Sequence, residues 1–217
     1  MAERSINHVI LHADRWLVVV DKPCGLLSVP GIGPEKADCL VARLQREFPG
    51  ARIVHRLDRD TSGVIVLALD ADTHRGLSRQ FEARETEKTY EALGHGPARD
   101  NEGLIDLPLR KAAMGSALQI VDHELGRPSQ TRWRVLERST HANGAAVTRF
   151  ELRPITGRSH QLRVHLKELG HPILGDELYA PPEVYAMAPR LCLHARSLSF
   201  THPATRERVR FEAACPF

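Results

Sequence analysis

At 217 residues the chain is long enough to bury a sizeable core, as one larger domain or as two small lobes. Hydrophobic residues at 42% and charged residues at 26% are ordinary for a folded globular protein and exclude a disordered one. The net charge of +3 is mild, but only five of the thirty basic residues are lysine; guanidinium groups suit phosphate contacts and base stacking, which favours nucleic acid, although a GC-rich genome yields the same bias.

In chain order, Trp16 to Val20 is an apolar run that predicts a buried strand, followed by Pro23, Gly25, Pro30 and Gly31, which force turns. Leu40, Val41, Leu44 and Phe48 recur at helical spacing until Pro49-Gly50 ends the pattern. Val64 to Leu69 reads as a second buried strand. Asp72 is the expected cap of a helix that points Leu77 and Phe81 inward and Arg75, Arg79 and Arg84 outward, before Lys88 to Leu93 returns as a strand. Residues 94–128 are rich in Gly, Pro and charge, predicting loops around short strands, mobile contacts to a partner and a place for a lobe boundary. Thr131 to Val135 and Val147 to Leu152 alternate with period two on either side of Asn143-Gly144, the pattern of an antiparallel hairpin.

Cysteines 24, 39, 192 and 215 form no CxxC pair, and no signal peptide precedes them, so free thiols in a reducing cytoplasm are expected. Twelve histidines invite a metal reading, but His160 and His165 are about 140° apart on a helix, and the residues around His8 and His12 look strand-like. No metal site is expected. No apolar run is long enough to span a bilayer, so a soluble protein is predicted.

Two segments carry chemistry. In His55-Arg56-Leu57-Asp58-Arg59-Asp60-Thr61-Ser62-Gly63, a carboxylate lies between two arginines at the mouth of a buried strand, which makes Asp58 the first candidate for reactivity. Thr61, Ser62 and Gly63 are expected to shape the turn that presents it. In Gly157-Arg158-Ser159-His160-Gln161-Leu162-Arg163-Val164-His165, Ser159 or Thr156 can cap a helix that Gly170 and Pro172 close. Leu162, Leu166 and Leu169 share one face, and His160, Arg163 and Lys167 form a cationic stripe on the other; a solvated surface helix has the same pattern.

These two segments, with Asp21-Lys22-Pro23-Cys24-Gly25-Leu26-Leu27, Glu87-Lys88-Thr89-Tyr90-Glu91-Ala92-Leu93 and Leu193-His194-Ala195, resemble the ordered motifs of the RluA family of RNA pseudouridine synthases. Within it the compact length, with no preceding S4-type RNA-binding domain, is similar to the dual-specificity members acting on ribosomal and transfer RNA. The resemblance implies an isomerase that breaks the C1′–N1 bond of a uridine and rejoins the ring through C5, with no cofactor or metal. It implies Asp58 as the catalytic aspartate, Arg163 as its cationic partner, which typically lowers a carboxylate pKa by ~1–3 units, and Tyr90 as the tyrosine that stacks on the base and serves proton transfer at C5. A uridine in a stem-loop must be flipped out at a cost of a few kcal/mol, and Arg56 is a candidate to fill the vacated stack. His55, Arg158 and His160 are further expected contacts to RNA. The partners implied are rRNA, a tRNA stem-loop, or both, with no membrane and a monomeric protein. Cys24 stands where a small Ser or Ala is usual, and residues 111–123 carry few cations for a loop that helps hold RNA, which bears on substrate choice.

The predicted fold class is α+β: strands outnumber helices, and the resemblance implies a central, mostly antiparallel sheet divided by a catalytic cleft, with flanking helices. The chain is expected to be a single catalytic domain over 1–217, with two lobes. Three other readings of the residues stand beside this one. Asp58 and Asp60 could serve a magnesium-dependent phosphotransferase, but such loops follow an apolar strand, and here His55, Arg56 and Leu57 precede. A non-catalytic RNA-binding module would use the arginines on phosphates. A glycosidase would need a raised-pKa acid, which this arginine-rich setting opposes.

Overall fold

A computed structural model describes residues 8–217, the Glu35 side chain apart. Its elements are β1 (Val9–Ala13), β2 (Leu17–Lys22), α1 (Leu40–Leu44), β3 (Arg52–Ile53), β4 (Ser62–Ala68), α2 (Ala71–Glu82), β5 (Glu87–His95), β6 (Glu102–Asp106), β7 (Leu109–Lys111), β8 (Gln119–Val121), β9 (Gln130–Thr140), β10 (Ala146–Pro154), α3 (Gln161–Glu168), α4 (Pro182–Tyr185), β11 (Leu193–Thr201) and β12 (Arg208–Glu212). The chain forms two compact units: one holds the residues through Lys88 with His194–Pro216, the other Thr89–Leu193 with Phe217. It crosses between them inside β5 and β11 rather than within 94–128, whose Gly and Pro residues instead go into turns around β6, β7 and β8 of the second unit.

In the first unit β2 pairs antiparallel with β1 and β4, β3 lies antiparallel to the end of β4, and β12 pairs antiparallel with β11. The exception is β11 against β4, which runs parallel through His194 opposite Ser62 and Ala195 opposite Gly63. Every residue of β4 is buried, and so is β2 apart from half-buried Asp21, which explains why both read as unbroken apolar runs rather than alternating ones. Leu77 of α2 joins Leu17, Val19, Val64, Val66 and Phe200 in the core, with Phe81 packed at its edge. Each fully buried side chain of this kind contributes about 1.5–3 kcal/mol over an exposed one. The helix cap differs from expectation by two residues: Asp70, not Asp72, accepts the N–H groups of residues 72 and 73, and Asp72 instead pairs with Arg75.

The second unit is an antiparallel run β5, β10, β9, β6, with the small β7–β8 hairpin beside it. The expected hairpin is β9 and β10, and β9 begins with the predicted alternation, Thr131 and Trp133 buried while Arg132 and Arg134 are exposed. Phe150, Leu152, Trp133, Leu162, Leu166 and Ile173 form the core. Helix α3 departs from its amphipathic reading. Residues 161 to 166 are all buried, so Arg163 faces inward and belongs to no exposed stripe. Its N-cap is His160, at φ 53°, and neither Ser159 nor Thr156 caps it; Thr156 instead donates to Gln161 Oε1 at 2.7 Å. The far end is as expected: Gly170, at φ 90°, donates to Lys167 O while His171 donates to Leu166 O, the paired bonds of a Schellman closure.

Candidate active site

In the first unit the Asp58 loop is fixed by bonds to its backbone. Lys22, the last residue of β2, is fully buried and its ammonium donates to three carbonyls: Pro23 at 2.9 Å, Leu26 at 2.8 Å and Arg59 at 3.0 Å. Gly25 N–H also donates to Arg59 O. On the other side of Asp58, the Ser28 hydroxyl donates to Leu57 O at 2.7 Å and accepts from Leu57 N–H at 3.2 Å. Asp58 O accepts from Thr61 N–H at 3.2 Å, closing the turn. Residues 57, 58 and 59 are thus each anchored through the main chain, and the half-buried Asp58 side chain projects from a pre-set backbone.

The loop runs into β4 through a close approach that only glycine permits. Gly63 has φ 115°, and a Cβ there would lie 2.3 Å from Ala195 O and 2.6 Å from Ala195 N. Next to it Ser62 Oγ lies 2.8 Å from His194 Nδ1, and His194 Nε2 lies 3.3 Å from Ala213 O. The carbonyl assigns the ring proton to Nε2, so the Ser62 hydroxyl donates to Nδ1. Asp60 is paired with Arg59, as suits a loop residue. Arg56 is exposed, and no hydrogen bond or ion pair to it occurs among the described residues. His55 is committed inward: its Nε2 accepts from Val66 N–H, and its ring stacks on Phe81 with centroids 4.5 Å apart. Burial, reinforced by the Lys88 cation, pushes its pKa down to about 3, so it is neutral.

In the second unit Tyr90 lies on β5 opposite Leu152, half-buried against the core. Arg163 is 4% exposed, and the fully buried Asp176 grips it at both ends of the carboxylate, Nε to Oδ2 at 2.8 Å and Nη2 to Oδ1 at 2.5 Å. Asp176 Oδ1 also accepts the N–H groups of Leu178 and Tyr179. The Arg163 guanidinium sits over the Tyr179 ring, 5.0 Å from its centroid. The Tyr179 hydroxyl lies 2.7 Å from His160 Nδ1 and accepts from Gln119 N–H at 2.9 Å. Arg158 reaches Pro128 O through Nε at 3.4 Å. The structure therefore brings His160 and Arg163 together around Tyr179, whereas Asp58, Arg56 and His55 belong to the other unit.

Sequence reading assigned no role to Lys22, Ser28, His194, Asp176 or Tyr179. A signal existed for two of them: Lys22 closes the strand that the apolar run Trp16 to Val20 begins, and Asp176 follows the apolar pair Ile173-Leu174 and a glycine. Among the described residues no three His, Cys, Asp or Glu side chains gather as metal ligands, and no helix is long and apolar enough to cross a membrane.

The chain is thus an α+β protein in which one unit anchors the backbone of a carboxylate-bearing loop and the other holds a guanidinium in a buried pair. Comparison with known proteins supplies the family. The family model described as RNA pseudouridylate synthase matches residues 16–168. The dual-specificity RNA pseudouridine synthase RluA of Escherichia coli K12 is 50% identical over 209 residues, covering 96% of this chain and 94% of that one. The protein of the same name from Yersinia pestis is 49% identical, covering 96% of this chain and all of its own. The solved structure of human RNA Pseudouridylate Synthase Domain Containing 1 matches with a TM-score of 0.83 and 32% identity, covering all of this chain and 87% of that one. This chain belongs to the RNA pseudouridylate synthase family and is an isomerase.

Proposed function

We propose that this protein converts specific uridines in 23S rRNA and in the tRNA anticodon stem-loop to pseudouridine, with Asp58 as the reacting carboxylate. The observation that carries the assignment is the anchoring of Leu57, Asp58 and Arg59 through their main chains, which fixes the backbone from which the carboxylate projects. The dual substrate rests on the half-identical relatives of that name.

The reaction balances within the substrate: C1′–N1 breaks, C1′–C5 forms, C5 gives up its proton and N1 takes one. It needs no oxidant, cofactor or metal. Asp58 acts ionised, at the ribose or at the base, with Arg163 as its cation during reaction. Tyr90 offers a ring for the extruded uracil and a hydroxyl for the proton leaving C5. Arg56, exposed beside Asp58, fills the stack the uracil vacates, and Arg158 and His160 contact RNA; His55 supports the loop from behind. Four cysteines without a disulfide suit a reducing cytoplasm, where we place the protein as a monomer.

Pseudouridine mapping in total RNA, with wild type and with Asp58→Asn in cells lacking the protein, tests this. Wild type restores one tRNA and one 23S rRNA site. The Asn variant binds both RNAs and restores neither. Equal modification by that variant would sink the role of Asp58, and restoration at other sites would overturn the dual substrate.

A further inference from the structure

The β7–β8 hairpin projects a tip that is poor in cations and rich in exposed apolar surface. Met114 is fully exposed, and Leu118 and Ile120 are exposed beside it. Its base is stiff: Arg110 pairs with Asp122, which also accepts the N–H groups of Glu124 and Leu125, and these bonds hold the Asp122 carboxyl down to about 2. Where β8 packs against α3, Gln119 N–H, at the start of β8, donates outward to the Tyr179 hydroxyl instead of to a strand. The same hydroxyl bonds His160 Nδ1, and the face of the same ring carries the Arg163 guanidinium.

Tyr179 is therefore the side chain at which three things meet. One is the register of the hairpin. Another is His160, a non-glycine residue in the left-handed region at φ 53°, a conformation that persists only where its surroundings enforce it. The last is Arg163, which Asp176 holds from the opposite side while also capping the N–H of Tyr179 itself. We propose that Tyr179 is a positioning residue that ties the β7–β8 hairpin and His160 to the Arg163 guanidinium, so that RNA held at His160 is coupled to the cation used in the reaction. This rests on the isomerase reading above and adds how substrate engagement reaches the reacting groups. The hydroxyl serves the hairpin and His160 and the ring serves Arg163, so the two parts of one side chain have separable consequences.

The experiment measures steady-state pseudouridine formation on a tRNA anticodon stem-loop, with RNA affinity by filter binding and thermal unfolding alongside. Tyr179→Phe keeps the ring and frees both Gln119 N–H and His160 Nδ1. KM and Kd should rise about ten- to hundredfold, the worth of the two hydrogen bonds that the hydroxyl makes, while kcat stays within about twofold. Tyr179→Leu also removes the ring from Arg163 and should lower kcat about tenfold further. A general loss of structure would move both parameters together in both variants and would overturn the inference. So would a Phe variant indistinguishable from wild type, or one that loses kcat with KM unchanged. If the Leu variant does not fold, the Phe variant alone decides the tie through its Kd. Wild type that binds RNA but forms no pseudouridine defeats the isomerase reading, whereas active wild type with an unaltered Phe variant defeats only the coupling.

Discussion

Replacing Asp176 by Asn keeps its shape and removes its charge. Three donors meet Oδ1, from Arg163 Nη2, Leu178 N–H and Tyr179 N–H, and Arg163 Nε meets Oδ2 at 2.8 Å. An amide oxygen at the Oδ1 position keeps those three bonds, but the amide NH2 group then faces Nε–H, donor against donor. Arg163 at 4% exposure has little water to turn to. Breaking a buried pair in this way costs about 3–5 kcal/mol, and the retained bonds place this case near about 3 kcal/mol. For a chain of this size that is a fall of about 6–12 °C in Tm at pH 7. Differential scanning calorimetry is the assay, with pseudouridine formation beside it; kcat/KM should drop at least about tenfold as Arg163 loses its fixed geometry. Adding Arg163→Met removes the buried charge that Asp176→Asn no longer balances, so the double variant should melt no lower than the Asn variant and stay inactive. An Asp176→Asn protein melting within about 2 °C of wild type would refute the reasoning that Asp176 acts through its charge.

Gly63→Ala puts a methyl 2.3 Å from Ala195 O at a φ of 115°, so β11 must retreat by roughly 1 Å from the Asp58 loop; we expect a loss of at least about 2 kcal/mol and of most activity, and urea unfolding at wild-type midpoint would contradict the close approach. His55 is held near about 3 in the folded protein and returns to 6.5 when unfolded, so above pH 6.5 its contribution is fully present and below it the unfolded chain gains a proton the folded one refuses. Stability should fall by about 2 kcal/mol between pH 6.5 and 5 on this account, with His165, also pushed down by burial, acting in the same direction. His55→Gln should flatten that slope; an unchanged slope in chemical denaturation would show that His55 is protonated in the fold.

Elements whose pattern is local were legible, and those whose partners lie far along the chain were not. The run from Val64 to Leu69 needed no context to read as a buried strand, and Asn143-Gly144 between two alternating segments could hardly be other than a hairpin. The end of α3 was legible because Gly170 and the residues it closes are neighbours. Arg163 was misplaced for the opposite reason. Its periodicity puts it on the polar face, and Asp176, thirteen residues on and beyond the helix, helps make its burial tolerable. Lys22 is a similar case, since its three acceptors come from the turn after β2 and from the Asp58 loop thirty-seven residues away. Asp70 and Asp72 are both good caps, and sequence cannot choose between acids two residues apart.

That pattern bears on how the Asp58 test should be read. The reaction needs a carboxylate that is both ionised and still, and ordinarily one hydrogen-bonded side chain supplies both properties at once. The backbone beneath that side chain has anchors of its own: Ser28 holds Leu57, Thr61 holds the Asp58 carbonyl, and Lys22 with Gly25 holds Arg59. None of these bonds involves the Asp58 carboxylate, so changing that side chain to an amide leaves the backbone of the loop with all these anchors. Asp58→Asn should therefore keep the loop backbone in place and lose less stability than Asp176→Asn, while losing pseudouridine formation. Asp176→Asn should lose both. A variant at 58 that fell in stability as far as the one at 176 would mean that the carboxylate is part of the scaffold, and inactivity would then say nothing about chemistry.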